Sequence, residues 1–130
     1  MNYMQDIKDF HSRFGLLGPS KPTDISKEMA DFRCGFMFEE FNETRNAMIL
    51  GSEAGLGPED ILDGLVDLVY VALGTAYLYG FDFDEAWRRV HTANMQKIRA
   101  ENKEDSKRGS TFDVVKPDGW KPPYLSDLVW

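Results

Sequence analysis

One cysteine, Cys34, stands in 130 residues, so no intrachain disulfide can form and a reducing cytosol is the expected compartment. Lying in a helix-patterned stretch, that thiol is expected to be buried as a small packing residue. Positive charge is also short. Fifteen Lys and Arg against 22 Asp and Glu leave a net charge of −7, which disfavours a nonspecific binder of nucleic acid polymers, whose affinity comes from neutralising phosphates. The first ten residues are polar and acidic and lack the basic stretch and apolar core of an export signal. Internal repeats and low-complexity tracts are missing too. What remains, 42% hydrophobic and 13% aromatic residues, excludes disorder and predicts one domain over residues 1–130.

The pattern that fills this domain is helical. Met4, Ile7, Phe10, His11 and Phe14 recur at spacings of three and four and predict a helix over 2–14, closed by Gly15, Gly18, Pro19 and Pro22. A second helix begins between Thr23 and Ser26, whose side chains can accept from free amides, and runs to about Leu50. Pro58, Glu59 and Asp60 suit the first turn of a third helix that reaches about Tyr79. Asp82 and Glu85 form a plausible capping box for a fourth, from Phe83 to about Glu101. No strand-like alternation competes in these hundred residues. The expected architecture is an all-α, four-helix bundle over about 2–101, followed by an extended arm over 102–130 whose prolines exclude a helix.

The third helix is apolar on every side, so it must be covered on every side. Three companion helices barely suffice, and a homodimer or homotetramer is expected. Asp63 and Asp67 in its middle argue against a membrane span, since each would cost about 2.5–3.5 kcal/mol near a bilayer centre.

Those two aspartates belong to the most informative feature of the chain. Glu39, Glu40 and Glu43 project from neighbouring faces of the second helix, amid Phe36, Met37, Phe38 and Phe41; Asp63 and Asp67 share a face of the third. An isolated Glu-Glu-x-x-Glu is most often a solvated helix face. Two aspartates inside the most apolar helix are another matter, because burying them demands a cation or a partner. Packed together, carboxylates about 5 Å apart repel by about 3 kcal/mol per pair at an effective dielectric of 20. Oxygen ligands without His or Cys beside them select Mg²⁺, or Mn²⁺, rather than Zn²⁺. On the fourth helix Asn94 and Lys97 are expected to face one ligand, the Lys as a charge for phosphate and the Asn as donor and acceptor. His11 and His91 are expected to be structural, and Arg88 and Arg89 to lie on an exposed face.

The ordered set Glu39-Glu40-x-x-Glu43, Asp63-Gly-Leu-Val-Asp67-Leu-Val-Tyr and Asn94-Met-x-Lys97 resembles the all-α nucleoside triphosphate pyrophosphohydrolases of the MazG type. Phe10-His11-x-x-Phe14-Gly15, Gly74-Thr75-Ala76 and Lys116-Pro-Asp-Gly-Trp120-Lys-Pro-Pro123 resemble the short single-domain versions carried by phages, so the likeness covers nearly the whole chain. It implies Mg²⁺-dependent hydrolysis of a (deoxy)nucleoside triphosphate between its α and β phosphates, yielding a monophosphate and pyrophosphate. It also implies metal ligation by Glu40, Glu43, Asp63 and Asp67, orientation of water by Glu39, and substrate contact by Asn94 and Lys97. The family's second motif is usually Glu-x-x-Asp; here Gly64 occupies the Glu position and the acid sits one residue earlier, at Asp63. Phosphoribosyl-ATP pyrophosphohydrolase and all-α dUTPase are neighbouring alternatives. A noncatalytic helical interaction module, with a docking arm, is the alternative from a different class.

Overall fold

The computed structural model describes all 130 residues, and the chain is all-α apart from one two-residue ribbon. Helices run over Tyr3–Arg13 (α1), Lys27–Ile49 (α2), Pro58–Leu78 (α3) and Phe83–Asn94 (α4); Ile98–Arg99 (β1) pairs antiparallel with Val114–Val115 (β2). Asn2 caps α1 by accepting from the Gln5 amide at 3.0 Å, and Ser26 caps α2 by accepting from Met29 at 3.0 Å. Pro58 opens α3, with Asp60 accepting from the Gly57 amide at 2.8 Å.

The residues form two compact units, Met1–Phe83 with Trp130, and Asp84–Val129. In the first, α3 packs along α2 and across α1. Its core is Met4, Ile7 and Leu73, with Tyr70, Tyr77 and Phe83 against them. Thr44 on α2 meets Gly64 on α3, where an added Cβ would lie 2.6 Å from the Thr44 Oγ1 and 3.1 Å from its Cα. Three turns back along α2, the buried Arg33 donates to Thr75 Oγ1 at 3.0 Å and to the Val71 carbonyl at 2.9 Å, about three and two turns forward along α3. The two helices are therefore antiparallel, with a register fixed at both contacts. Gly74 leaves room beside the Arg33 guanidinium and the His11 imidazole, which a Cβ would approach to 2.7 and 2.9 Å. His11 itself is buried, shares a hydrogen bond between Nδ1 and the Leu16 carbonyl at 2.7 Å, and lies 4.8 Å from the Tyr77 ring. Its structural role holds as expected.

Several expectations change. Leu62, Leu65, Val66 and Val69 of α3 are 66, 45, 53 and 54% exposed, because this unit has only α1 and α2 to cover a helix that is apolar all round. α3 is the one helix long and apolar enough to cross a bilayer by length and composition. Cys34 is exposed rather than buried; α2 buries Arg33, Thr44 and Ala47, and one residue past Arg33 the helix has turned about 100° off that stripe.

The second unit departs most. α4 stops at Asn94 rather than Glu101. The Gln96 and Lys97 amides bond three residues back, to Ala93 and Asn94, which tightens the last turn. The Trp120 indole Nε1 donates to the Ala93 carbonyl at 2.7 Å, and the Ala100 amide to Asp113. Pairing with the arm overrides the helical propensity of residues 96–101. Nor do both neighbouring arginines lie free on an exposed face: Glu85 accepts from Arg88 and Arg89, and Arg89 also holds Asp127 at 2.6 Å and the Tyr124 carbonyl at 2.8 Å.

The close approach at Gly64 gives a direct test. With backbone as well as side chain in the way, overpacking costs up to about 3 kcal/mol and the gain in helix propensity returns about 1 kcal/mol, so Gly64→Ala should cost up to about 2 kcal/mol and lower Tm by several degrees, at about 4 °C per kcal/mol. An unchanged or raised Tm in thermal denaturation would mean the helices do not meet as described.

Candidate active site

The register set by Thr44 and Gly64 decides which acids meet. Glu40 lies one turn before Thr44 on α2, and Asp67 nearly one turn after Gly64 on α3, so antiparallel packing sets them side by side. Thr44 also donates from Oγ1 to the Glu40 carbonyl at 2.8 Å, a bond within α2. Glu40 is half-buried, and its Oε2 is shut off from solvent with no hydrogen-bond partner. Burial, and after it the charges of Glu43, Asp67 and Glu39, push the Glu40 carboxyl above the usual carboxylate range. Four of the five predicted acids are thereby brought into one electrostatic neighbourhood, and no Lys or Arg pairs with any of them.

Asp63 is the acid left apart. It is exposed, makes no hydrogen bond or ion pair, and is not among the charges that Glu40 feels. The departure from Glu-x-x-Asp has a steric reason: position 64 lies against the Thr44 backbone and takes no side chain. Glu39 and Glu43 are exposed at the mouth of the cluster, and Asp67 is half-buried. As they stand, no three acidic side chains close on one point at ligand distance. The donor set nevertheless fits a hard divalent cation: carboxylate oxygens alone, one of them buried and unsatisfied, with mutual repulsion that a cation would relieve.

Asn94 and Lys97 belong to the second unit. They do not share a helix face, because α4 ends at Asn94. Asn94 is exposed, while the Lys97 ammonium sits 5.2 Å from the centre of the Trp120 ring. The Lys116 ammonium lies 5.0 Å from the same ring. In the sequence Lys116 and Trp120 stood out only as parts of the Lys116-Pro-Asp-Gly-Trp120 segment, whose meaning depends on a fold-back that spacing does not reveal.

The sequence profile of the phosphoribosyl-ATP pyrophosphohydrolase family matches residues 7–94, about two thirds of the chain, a span that includes all five predicted acids. The chain belongs to that family. The family lies within the MazG-like, all-α nucleoside triphosphate pyrophosphohydrolase superfamily, and the protein is accordingly a pyrophosphohydrolase. No curated protein matches the chain.

Glu40 also ties the site to stability. Its folded pKa lies above that of the unfolded chain, near 4.5, so its ionisation works against the fold. The stability it contributes is present below pH 4.5 and is lost as pH rises through the raised folded value. In EDTA at pH 7, Glu40→Gln should therefore melt above the wild type, and the difference should vanish as pH falls toward 4.5. Equal melting temperatures at pH 7 would show that the carboxylate carries no such strain.

Proposed function

We propose that the protein is a Mg²⁺-dependent nucleoside triphosphate pyrophosphohydrolase of the short, single-domain MazG branch. It hydrolyses a (deoxy)nucleoside triphosphate between the α and β phosphates and adjusts or cleanses the cytosolic nucleotide pool. The observation that carries the reading is Glu40: a carboxylate with a buried, unpartnered oxygen, crowded by Glu43, Asp67 and Glu39 without a cationic side chain to offset them. Such a cluster is destabilising alone and useful once a cation is bound.

Glu40, Glu43 and Asp67 would hold the metal; Asp63, the fourth ligand that the family resemblance implies, stands exposed and apart from them. A divalent cation held there would supply charge neutralisation to the phosphate oxygens and make water more acidic. Glu39, exposed beside the cluster, is the acid that orients the attacking water and receives its proton. The water oxygen bonds to the α-phosphorus as the bond from that phosphorus to the α–β bridging oxygen breaks; pyrophosphate leaves, and no Ser or Cys nucleophile takes part. Lys97 supplies a positive charge, and Asn94 a donor and an acceptor, to the substrate. Mn²⁺ may be substituted for Mg²⁺ in the assay, as both take oxygen ligands.

The match to the phosphoribosyl-ATP pyrophosphohydrolase family supports a second reading, in which phosphoribosyl-ATP is the substrate. It breaks the same kind of bond with the same acids, so the choice lies in what the site accepts beyond the triphosphate. A homodimer or homotetramer, with the exposed Leu62, Leu65, Val66 and Val69 covered by a second copy, is part of the proposal; those side chains form an apolar face too continuous for a monomer.

Incubation with Mg²⁺ and each common ribo- and deoxyribonucleoside triphosphate, dUTP and phosphoribosyl-ATP, resolved by anion exchange, separates the readings. The expected products are nucleoside monophosphate and pyrophosphate. Turnover confined to phosphoribosyl-ATP would establish the second reading; diphosphate with orthophosphate would refute the assigned bond. Because bound metal contributes several kcal/mol of charge stabilisation, Glu43→Gln and Asp67→Asn should each lower kcat at least about 100-fold with helicity unchanged by circular dichroism. Near-normal kcat in either variant would remove the acidic cluster from catalysis.

A further inference from the structure

The second unit contains a concentration of positive charge that the acidic cluster does not explain. A cavity of about 370 Å³ is lined by Lys97, Lys107, Arg108 and Lys116 together with Asp105 and Asp113. Its lining carries two positive charges in excess on a chain whose net charge is −7. We propose that this cavity binds the phosphate oxygens of a diphosphate or triphosphate, either free pyrophosphate or the polyphosphate chain of a nucleotide.

The argument starts from the ribbon. Ile98 pairs with Val115 and Arg99 with Val114, so the next position along the same register sets Lys97 opposite Lys116. Two lysines facing each other across an antiparallel pair repel. Here they also converge on one indole, with both ammonium groups about 5 Å from the centre of the Trp120 ring. Neither forms an ion pair with a carboxylate. The aromatic face offsets part of the repulsion, and the Trp120 Nε1 bond to Ala93 fixes that face in place.

The nearby acids supply only half of the counter-charge. Asp113 is engaged by Ser106 Oγ at 2.7 Å, by Arg108 Nη1 at 2.9 Å and by the Val114 amide at 2.9 Å. Asp105 accepts from the Asn102 amide at 3.1 Å. Arg108 and Asp113 thus form the frame, while Lys97, Lys107 and Lys116 are left to meet an anion. The cavity volume lies at the lower end of the range for small-molecule sites. A polyanion with several oxygens can meet three lysines at once, whereas a monovalent anion cannot.

The proposal relies on the α–β cleavage reading only for the choice of pyrophosphate as probe. The test is calorimetric titration of the full chain with sodium pyrophosphate in EDTA at fixed ionic strength, conditions in which the acidic cluster repels the ligand. Binding should weaken at least 10-fold in Lys116→Gln and measurably in Lys107→Gln. Lys107 is exposed and makes no hydrogen bond or ion pair, so its variant keeps the proposal testable should Lys116→Gln disturb the ribbon. A non-hydrolysable α,β-methylene triphosphate showing the same pattern identifies a nucleotide's polyphosphate as the ligand; pyrophosphate alone identifies the free anion. Absence of binding by both, equal affinity for sulfate, or affinity indifferent to both lysine variants would overturn the proposal. Cleavage is measured separately, so a substrate panel without products and a titration without heat are distinguishable failures.

Discussion

The contact of Thr44 with Gly64 is the constraint on which the candidate site depends. It brings the α2 and α3 backbones close enough to exclude a side chain at position 64, and so fixes which residues of the two helices stand abreast. Glu40 falls beside Asp67 as a consequence. Arg33 repeats the constraint at the other end of the hairpin by reaching Val71 and Thr75. Between these two points the acidic cluster has little freedom to spread, and its repulsion is carried by the packing of the helices. The site is thus held together by contacts that involve none of its own carboxylates, an arrangement that lets the acids remain strained without separating the helices.

The first three helices were legible in the sequence because their signals are local. Asn2, Ser26 and Pro58 mark the starts, and the apolar periodicity follows within each segment. The two acidic motifs were legible for the same reason, since three- and four-residue spacings are properties of one helix. What failed to show was whatever a distant residue decides. The end of α4 depends on Trp120, 27 residues beyond Ala93, and on the pairing of Ile98 with Val115. Cys34 looked like a core residue by type, but only its angular position relative to Arg33 says otherwise. The glycine at position 64 looked like a lost ligand until its neighbour was known to be the Thr44 backbone.

The Gly74-Thr75-Ala76 segment shows how a motif can be read with the right position and an incomplete meaning. Its glycine makes space for Arg33 and His11, its threonine accepts from Arg33, and its alanine is buried. Each part serves the joining of α1 and α2 to α3 rather than chemistry. The hydrogen bonds of Arg33 in this joint go to neutral oxygens, its guanidinium lies 5.5 Å from the centre of the Phe36 ring, and burial pulls its pKa below the usual guanidinium value.

The two units are also fastened by different forces. The helical one is closed by apolar burial and by backbone contact, which dissolved ions scarcely affect. The other rests on Arg89 between Glu85 and Asp127, Arg108 on Asp113, and two lysines on an indole. Asp127, Arg108 and Lys116 are open to water, where electrostatic range shrinks from about 8 Å at physiological ionic strength to about 3 Å at 1 M salt. Brine therefore acts as a selective solvent for this chain, loosening the stretch that folds back upon α4 while leaving the hairpin that carries the acids intact.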